Sequence, residues 1–117
     1  PLVVSLEPKA DLMYYKEGVY KSSAERLLGQ GTAGAEWERV DHAVLLVGYG
    51  VDKETGTKFW VLQNSWGPSW GESGFFRMVR GENDSAIESI AVVADVQMDQ
   101  KNEVLSSFVQ RVNTGQL

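Results

Sequence analysis

Val40-Asp41-His42-Ala43-Val44-Leu45-Leu46-Val47-Gly48-Tyr49-Gly50 and, further on, Gln63-Asn64-Ser65-Trp66-Gly67 decide how this chain is read. The first stretch is apolar and β-branched over 43–51 and carries the only histidine at its start. A second apolar run, 59–63, ends on Asn64, and Asp52-Lys53-Glu54-Thr55-Gly56 between the two has turn composition. The pair predicts an antiparallel hairpin. The midpoint of His42 and Asn64 falls at Lys53, inside the turn. A symmetric hairpin then sets the two residues opposite each other, with Cα atoms roughly 4.5–5.5 Å apart and both side chains on one face. An amide oxygen there can accept a hydrogen bond from one imidazole nitrogen. That fixes the ring and its tautomer and leaves the other nitrogen to face a reacting group.

Either residue alone reads blandly. A lone histidine beside an apolar strand is usually a satisfied core or edge residue, and Asn-Ser at a strand end is usually a turn. Together, with Trp66 and Trp70 just beyond, they predict a general base and its orienting partner. Trp66 is expected to lie over the Asn64–His42 bond and keep water off it, although both indoles also serve as large core aromatics. A thiol beside such an imidazole ionises readily, its pKa falling several units below about 8.5. The chain has no cysteine. Any such nucleophile must come from another chain.

Outward from the hairpin, residues 2–6 predict a short buried strand, and 11–20 a turn followed by a short extended piece. Residues 22–37 predict a glycine-containing loop of about 15 residues, long enough to be functional, proteolytically exposed or disordered. Residues 74–79 predict a third strand of the hairpin sheet, and 87–96 a fourth. In 99–113, Val104, Leu105, Phe108, Val109 and Val112 share one face of a predicted helix that Asp99 or Asn102 could cap. That helix packs on its own domain, meets a partner chain, or belongs to a disordered extension.

The 117 residues fit one domain with a modest core. No apolar run reaches the roughly 18 residues that span a bilayer. A net charge of −5 and no Lys/Arg cluster argue against nucleic acid. The chain begins directly in a strand-like run with no visible signal peptide, which predicts a processed product or a fragment.

Val40-Asp41-His42-Ala43-Val44 with Gly48-Tyr49-Gly50, then Trp60-Val61, Asn64-Ser65-Trp66-Gly67, Trp70-Gly71-Glu72 and Gly74-Phe75-Phe76-Arg77, resembles the C-terminal half of a papain-family cysteine protease. The resemblance runs from Leu2 to about Val93. It implies an α+β papain-like fold, with residues 1–96 as its antiparallel, β-barrel-like half and 97–117 as a C-terminal extension past the usual family end. It makes His42 the catalytic imidazole, Asn64 its orienting partner and Trp66 the shielding indole. The family's cysteine and oxyanion glutamine lie in the other half, and Gln63 is not that glutamine.

Ser85-Ala86-Ile87-Glu88-Ser89-Ile90-Ala91-Val92 is similar to the corresponding stretch of the cathepsin C (dipeptidyl peptidase I) branch. By that resemblance Ile90 forms the floor of the pocket for the second substrate residue (S2), and Ser5, Val40 and Ala43 line its walls. The resemblance implies removal of dipeptides from free N-termini, in concert with a heavy chain carrying the cysteine and an exclusion domain from the same precursor. It requires no cofactor and no metal, allows a bound chloride ion and an oligomer, and points to a lysosomal, other acidic endosomal, or secreted location. Two alternatives stay open: an endopeptidase of the cathepsin B or L type, and a catalytically inactive papain-like binding protein. The family often has a cysteine where Ser85 stands. Asn83-Asp84-Ser85 is instead a glycosylation sequon.

Overall fold

The computed structural model describes residues 1–23 and 40–95. Six strands there form one sheet: β1 (Leu2–Leu6), β2 (Val19–Tyr20), β3 (His42–Val51), β4 (Lys58–Gln63), β5 (Phe75–Val79) and β6 (Ala91–Val92). Their spatial order is β2-β5-β4-β3-β1-β6. All neighbouring pairs are antiparallel except β2 with β5. Short 3-10 turns at Ala10–Tyr14 and Asp84–Ala86 complete the described elements.

Alternation sorts the faces, because successive strand residues point to opposite sides. Val4 and Leu6 of β1, Val44 of β3, Leu62 of β4, and Phe76 and Met78 of β5 are buried on one side. Leu12, Tyr15, Tyr20 and Ile87, from the turns and β2, close over that side and complete the core. Full burial of side chains of this size contributes roughly 1.5–3 kcal/mol each. On the other side Val3 is 46% and Val47 43% exposed.

The hairpin forms as predicted, but its register differs. Asp52 accepts the N–H groups of Glu54 and Thr55 on its carboxylate and pairs its own N–H with the Thr57 carbonyl, so the turn centres between Glu54 and Thr55. A bulge between Leu46 and Gly48 then takes one residue back on β3. Leu46 pairs with Leu62 and Leu45 with Gln63. Continued by one step, that register brings Asn64 opposite Val44, two positions from His42. The expectation that His42 and Asn64 stand directly across the ladder is therefore corrected: they are diagonal neighbours.

The strand expected over 87–96 also shrinks, to Ala91–Val92. Ile87 is instead buried at the end of the second 3-10 turn. Side chains divert the backbone donors: the Glu88 N–H goes to Asn83, while Gly81 and Asn83 donate to Glu88. The other strands agree with expectation to within a residue. The helix expected over 99–113 and most of the 22–37 loop lie outside the described residues.

Candidate active site

His42 begins β3, and Asn64 follows the last residue of β4. Diagonal neighbours lie about 7–8 Å apart at Cα, and the two side chains span that gap. His42 Nε2 is 2.9 Å from Asn64 Oδ1. The same oxygen accepts the Ser65 N–H at 2.8 Å. A backbone N–H can only donate, so the amide atom facing it is oxygen. The imidazole must therefore donate through Nε2, which leaves Nδ1 with its lone pair free in the neutral ring. The Asn64 N–H itself donates to the Gly74 carbonyl at 3.0 Å, anchoring β4 to the turn before β5. Asn64 Nδ2 is buried and meets no acceptor among the described residues.

Trp66 stacks on the imidazole face, with ring centroids 5.2 Å apart and planes 25° apart. It is 38% exposed, so it covers the pair from one side only. Behind it the aromatic series continues into the core. Trp66 meets Trp70 edge-on at 5.0 Å, and Trp70 meets Phe76 at 5.4 Å and Tyr15 at 5.6 Å. The Trp70 indole N–H donates to the Met13 carbonyl at 3.2 Å. The catalytic candidate thus leans, through Trp70, on the core residues Tyr15 and Phe76.

The loop that presents Trp66 is tight. Gly71 has φ +59°, and a Cβ there would lie 2.6 Å from the Phe75 carbonyl oxygen, so no side chain fits. Glu72 closes the loop onto β5 by a two-pronged pair, Arg77 Nη2 to Oε1 at 2.7 Å and Nε to Oε2 at 3.0 Å. The Gly18 N–H also reaches Oε1, at 3.0 Å. The Arg77 guanidinium holds the Glu72 carboxyl below its ordinary pKa, while Glu72 raises that of Arg77. Neither residue's role was visible in sequence. Opposite charges five positions apart across a glycine-flanked turn are the only signal there.

Among the S2 candidates, Ser5 of β1 pairs directly with Ala43 of β3, and the Ser5 N–H points to the Ile90 carbonyl at 3.4 Å. Three of the four therefore gather at one place on the sheet. Val40 stands two positions ahead of β3, half-buried, outside the paired stretch. Beside them a depression of about 310 Å³ is lined by Val3, Ala43, Val44, Leu45, Gln63, Asn64 and Ser65. It reaches Asn64 and is mostly apolar.

The sequon folds into the loop after β5. Asn83 is left-handed at φ 48°, and its side-chain oxygen accepts the Glu88 N–H at 3.0 Å. Ser85 is buried, with its hydroxyl donating to Asp84 at 2.9 Å. No group of three or more His, Cys, Asp or Glu side chains that could hold a metal occurs among the described residues. No helix there is long and apolar enough to cross a membrane.

Comparison with known proteins gives a consistent result. Residues 1–95 match the family described as papain family cysteine protease. The chain is 42% identical over 95 residues to cathepsin C of Schistosoma mansoni, covering 81% of this chain and 20% of that protein. It is 44% identical over 91 residues to cathepsin B-like CP2 of Giardia intestinalis, covering 78% and 26%. Among solved structures, digestive procathepsin L 3 of the Tenebrio molitor larval midgut superposes with a TM-score of 0.62 at 35% identity, covering 78% of this chain and 26% of that one. Bromelain of Ananas comosus in complex with the E64 inhibitor gives 0.54 at 36% identity, covering 73% and 34%. The chain thus spans about a fifth to a quarter of the length of the curated relatives quoted.

Proposed function

This chain belongs to the papain family of cysteine proteases and forms the sheet-rich half of that fold, and on that footing we propose that it supplies the base of a thiol-dependent peptidase. The observation that carries the reading is the 2.9 Å bond between His42 Nε2 and Asn64 Oδ1, stacked under Trp66. With Nε2 committed, Nδ1 accepts the proton of a thiol borne outside these 117 residues, on the heavy chain expected from the same precursor. The thiolate adds to the peptide carbonyl. The imidazolium then gives its proton to the departing amine, and the neutral ring activates water to release the acyl group. Asn64 holds the ring plane throughout, and the imidazolium keeps its acceptor.

Among papain-type activities, the favoured one is removal of dipeptides from free N-termini. Supporting it are the 85–92 segment and the similarity to a cathepsin C over 95 residues. The comparable identity to a cathepsin B-like protein supports endopeptidase action as the second reading. An exopeptidase rejects substrates with blocked N-termini, so free-amine and N-blocked peptides assayed on the full enzyme separate the two. A lysosomal, endosomal or secreted setting is what the similarity to cathepsins supports.

The decisive test is His42→Ala in the full-length enzyme. We expect loss of turnover with the fold and the thiol retained. Hydrolysis within a few-fold of wild type would overturn the assignment.

A further inference from the structure

Two buried side-chain nitrogens have no hydrogen-bond partner among the described residues, Arg80 Nε and Asn64 Nδ2. Arg80 is provided for in another way. Its guanidinium lies 5.3 Å from the ring centres of Tyr49 and Trp60, whose faces attract the charge, and its Nη2 reaches the Gly50 carbonyl at 3.4 Å. Asn64 is a neutral amide and draws little from ring faces. Its Oδ1 already takes two donors, His42 Nε2 at 2.9 Å and the Ser65 N–H at 2.8 Å. A half-turn of the amide would set Nδ2 against the Ser65 N–H and strip the imidazole of its acceptor. The orientation that serves the base is therefore the one that leaves Nδ2 buried without an acceptor, an arrangement that stays unfavourable until an acceptor arrives.

The depression of about 310 Å³ has Asn64 in its wall, and Val3, Ala43, Val44 and Leu45 make most of that wall apolar. A bridging water needs two to four polar partners, in which so apolar a wall is poor. A backbone carbonyl carried in beside an apolar side chain suits the amide and the wall together. Ala43 follows His42 in the chain, so an occupant of the depression stands beside the base. Ser5, Val40 and Ile90 are not among the lining residues, which sets the depression apart from a pocket for the substrate's second residue. The chain has no cysteine, and on the protease reading, on which this inference rests, the thiol arrives on another body. We propose that this body fills the depression with an apolar side chain and turns a backbone carbonyl onto Asn64 Nδ2. The contact that delivers the nucleophile then also completes the hydrogen bonding of the amide that orients the base. Assembly and base orientation are one event.

The test is a double-mutant cycle on kcat in the full-length enzyme, combining Leu45→Ala with Asn64→Ala. Leu45→Ala widens the depression and loosens its occupant, and with it the carbonyl on Asn64. In the wild-type background it should lower kcat by about fivefold, with KM and the number of titratable thiols within about twofold. In the Asn64→Ala background no amide is left to orient, and the same change should cost less than about twofold. Equal losses in both backgrounds, or no loss from Leu45→Ala, overturn the proposal. A crystal structure of the full-length enzyme reads the contact itself. A backbone carbonyl oxygen of the thiol-bearing part is expected within about 3.2 Å of Asn64 Nδ2. Any other neighbour there, whether a water or an oxygen of this chain, or none at all, overturns the proposal. Should Leu45→Ala fail to assemble, that structure decides alone. A wild-type enzyme with no titratable thiol, or an active His42→Ala, would instead defeat the protease reading beneath it.

Discussion

At the residue scale, the orienting bond and the stacked indole do different work, and substitutions should separate them. Asn64→Ala removes the acceptor for Nε2–H but leaves the Trp66 stack, so the ring can rotate about its stem while still covered. A loss in kcat of about 10- to 100-fold follows, each tenfold being about 1.4 kcal/mol of barrier. KM should hardly move, because Asn64 acts on the base rather than on the substrate. Trp66→Ala removes the cover and lets water compete for Asn64 Oδ1, whereas Trp66→Phe keeps an aromatic face on the imidazole. Steady-state kinetics of the three variants should rank wild type, Trp66→Phe and then Trp66→Ala, with Asn64→Ala affecting kcat alone. A Trp66→Ala enzyme as active as wild type would show that the stack is only packing.

At the element scale, the loop before β5 is closed by Glu72 and Arg77. Glu72→Ala strands the guanidinium and the Gly18 N–H together. Allowing for the roughly one-third exposure of both side chains, the expected cost is about 1–2 kcal/mol, read as a lower denaturant midpoint. The sign of the pH dependence follows from the lowered pKa of Glu72. Its contribution is complete above the unfolded carboxyl value and is lost as pH falls through the lower folded one. The gap between wild type and Glu72→Ala should therefore hold at pH 5 and close in stronger acid. The hairpin itself was legible because its apolar runs and turn residues agree. Its register was not, since the bulge at Val47 and the offset turn depend on hydrogen bonds that alternation does not encode. The 87–96 stretch misled for a related reason. Ile87, Ile90 and the following valines have strand composition, but Asn83 and Glu88 take the backbone donors a longer strand would need. His42, Asn64 and Trp66 could be singled out as a group because few residue types suit that chemistry, and the structure brings the three side chains together. Glu72 and Glu88 looked like ordinary surface charge.

At the scale of the whole molecule, the described sheet carries the proposed base in a chain without cysteine, and an apolar side with no cover among the described residues. Val3, Ala43 and Leu45 line a depression that reaches Asn64, and Val47 lies exposed beyond them on β3. A thiol aimed at His42 Nδ1 has to arrive on a body seated near this face, and apolar surface of that kind is where a permanent partner would bind. Leu45 is the most useful probe, being half-buried, away from the core face and two positions from Ala43. Leu45→Asp in the full-length protein places a charge where the two halves should meet, and an unpaired charge buried in an interface is strongly unfavourable. It should separate the halves, or leave them joined but loosened, with activity lost in step with assembly. Leu45→Val, which keeps the face apolar, should assemble and hydrolyse nearly as wild type. Gel filtration and thiol titration on both variants read the outcome directly. The 117-residue chain alone should show no peptidase activity and gain it only with the cysteine-bearing part. Normal assembly and activity in Leu45→Asp would show that the nucleophile approaches from elsewhere on the sheet.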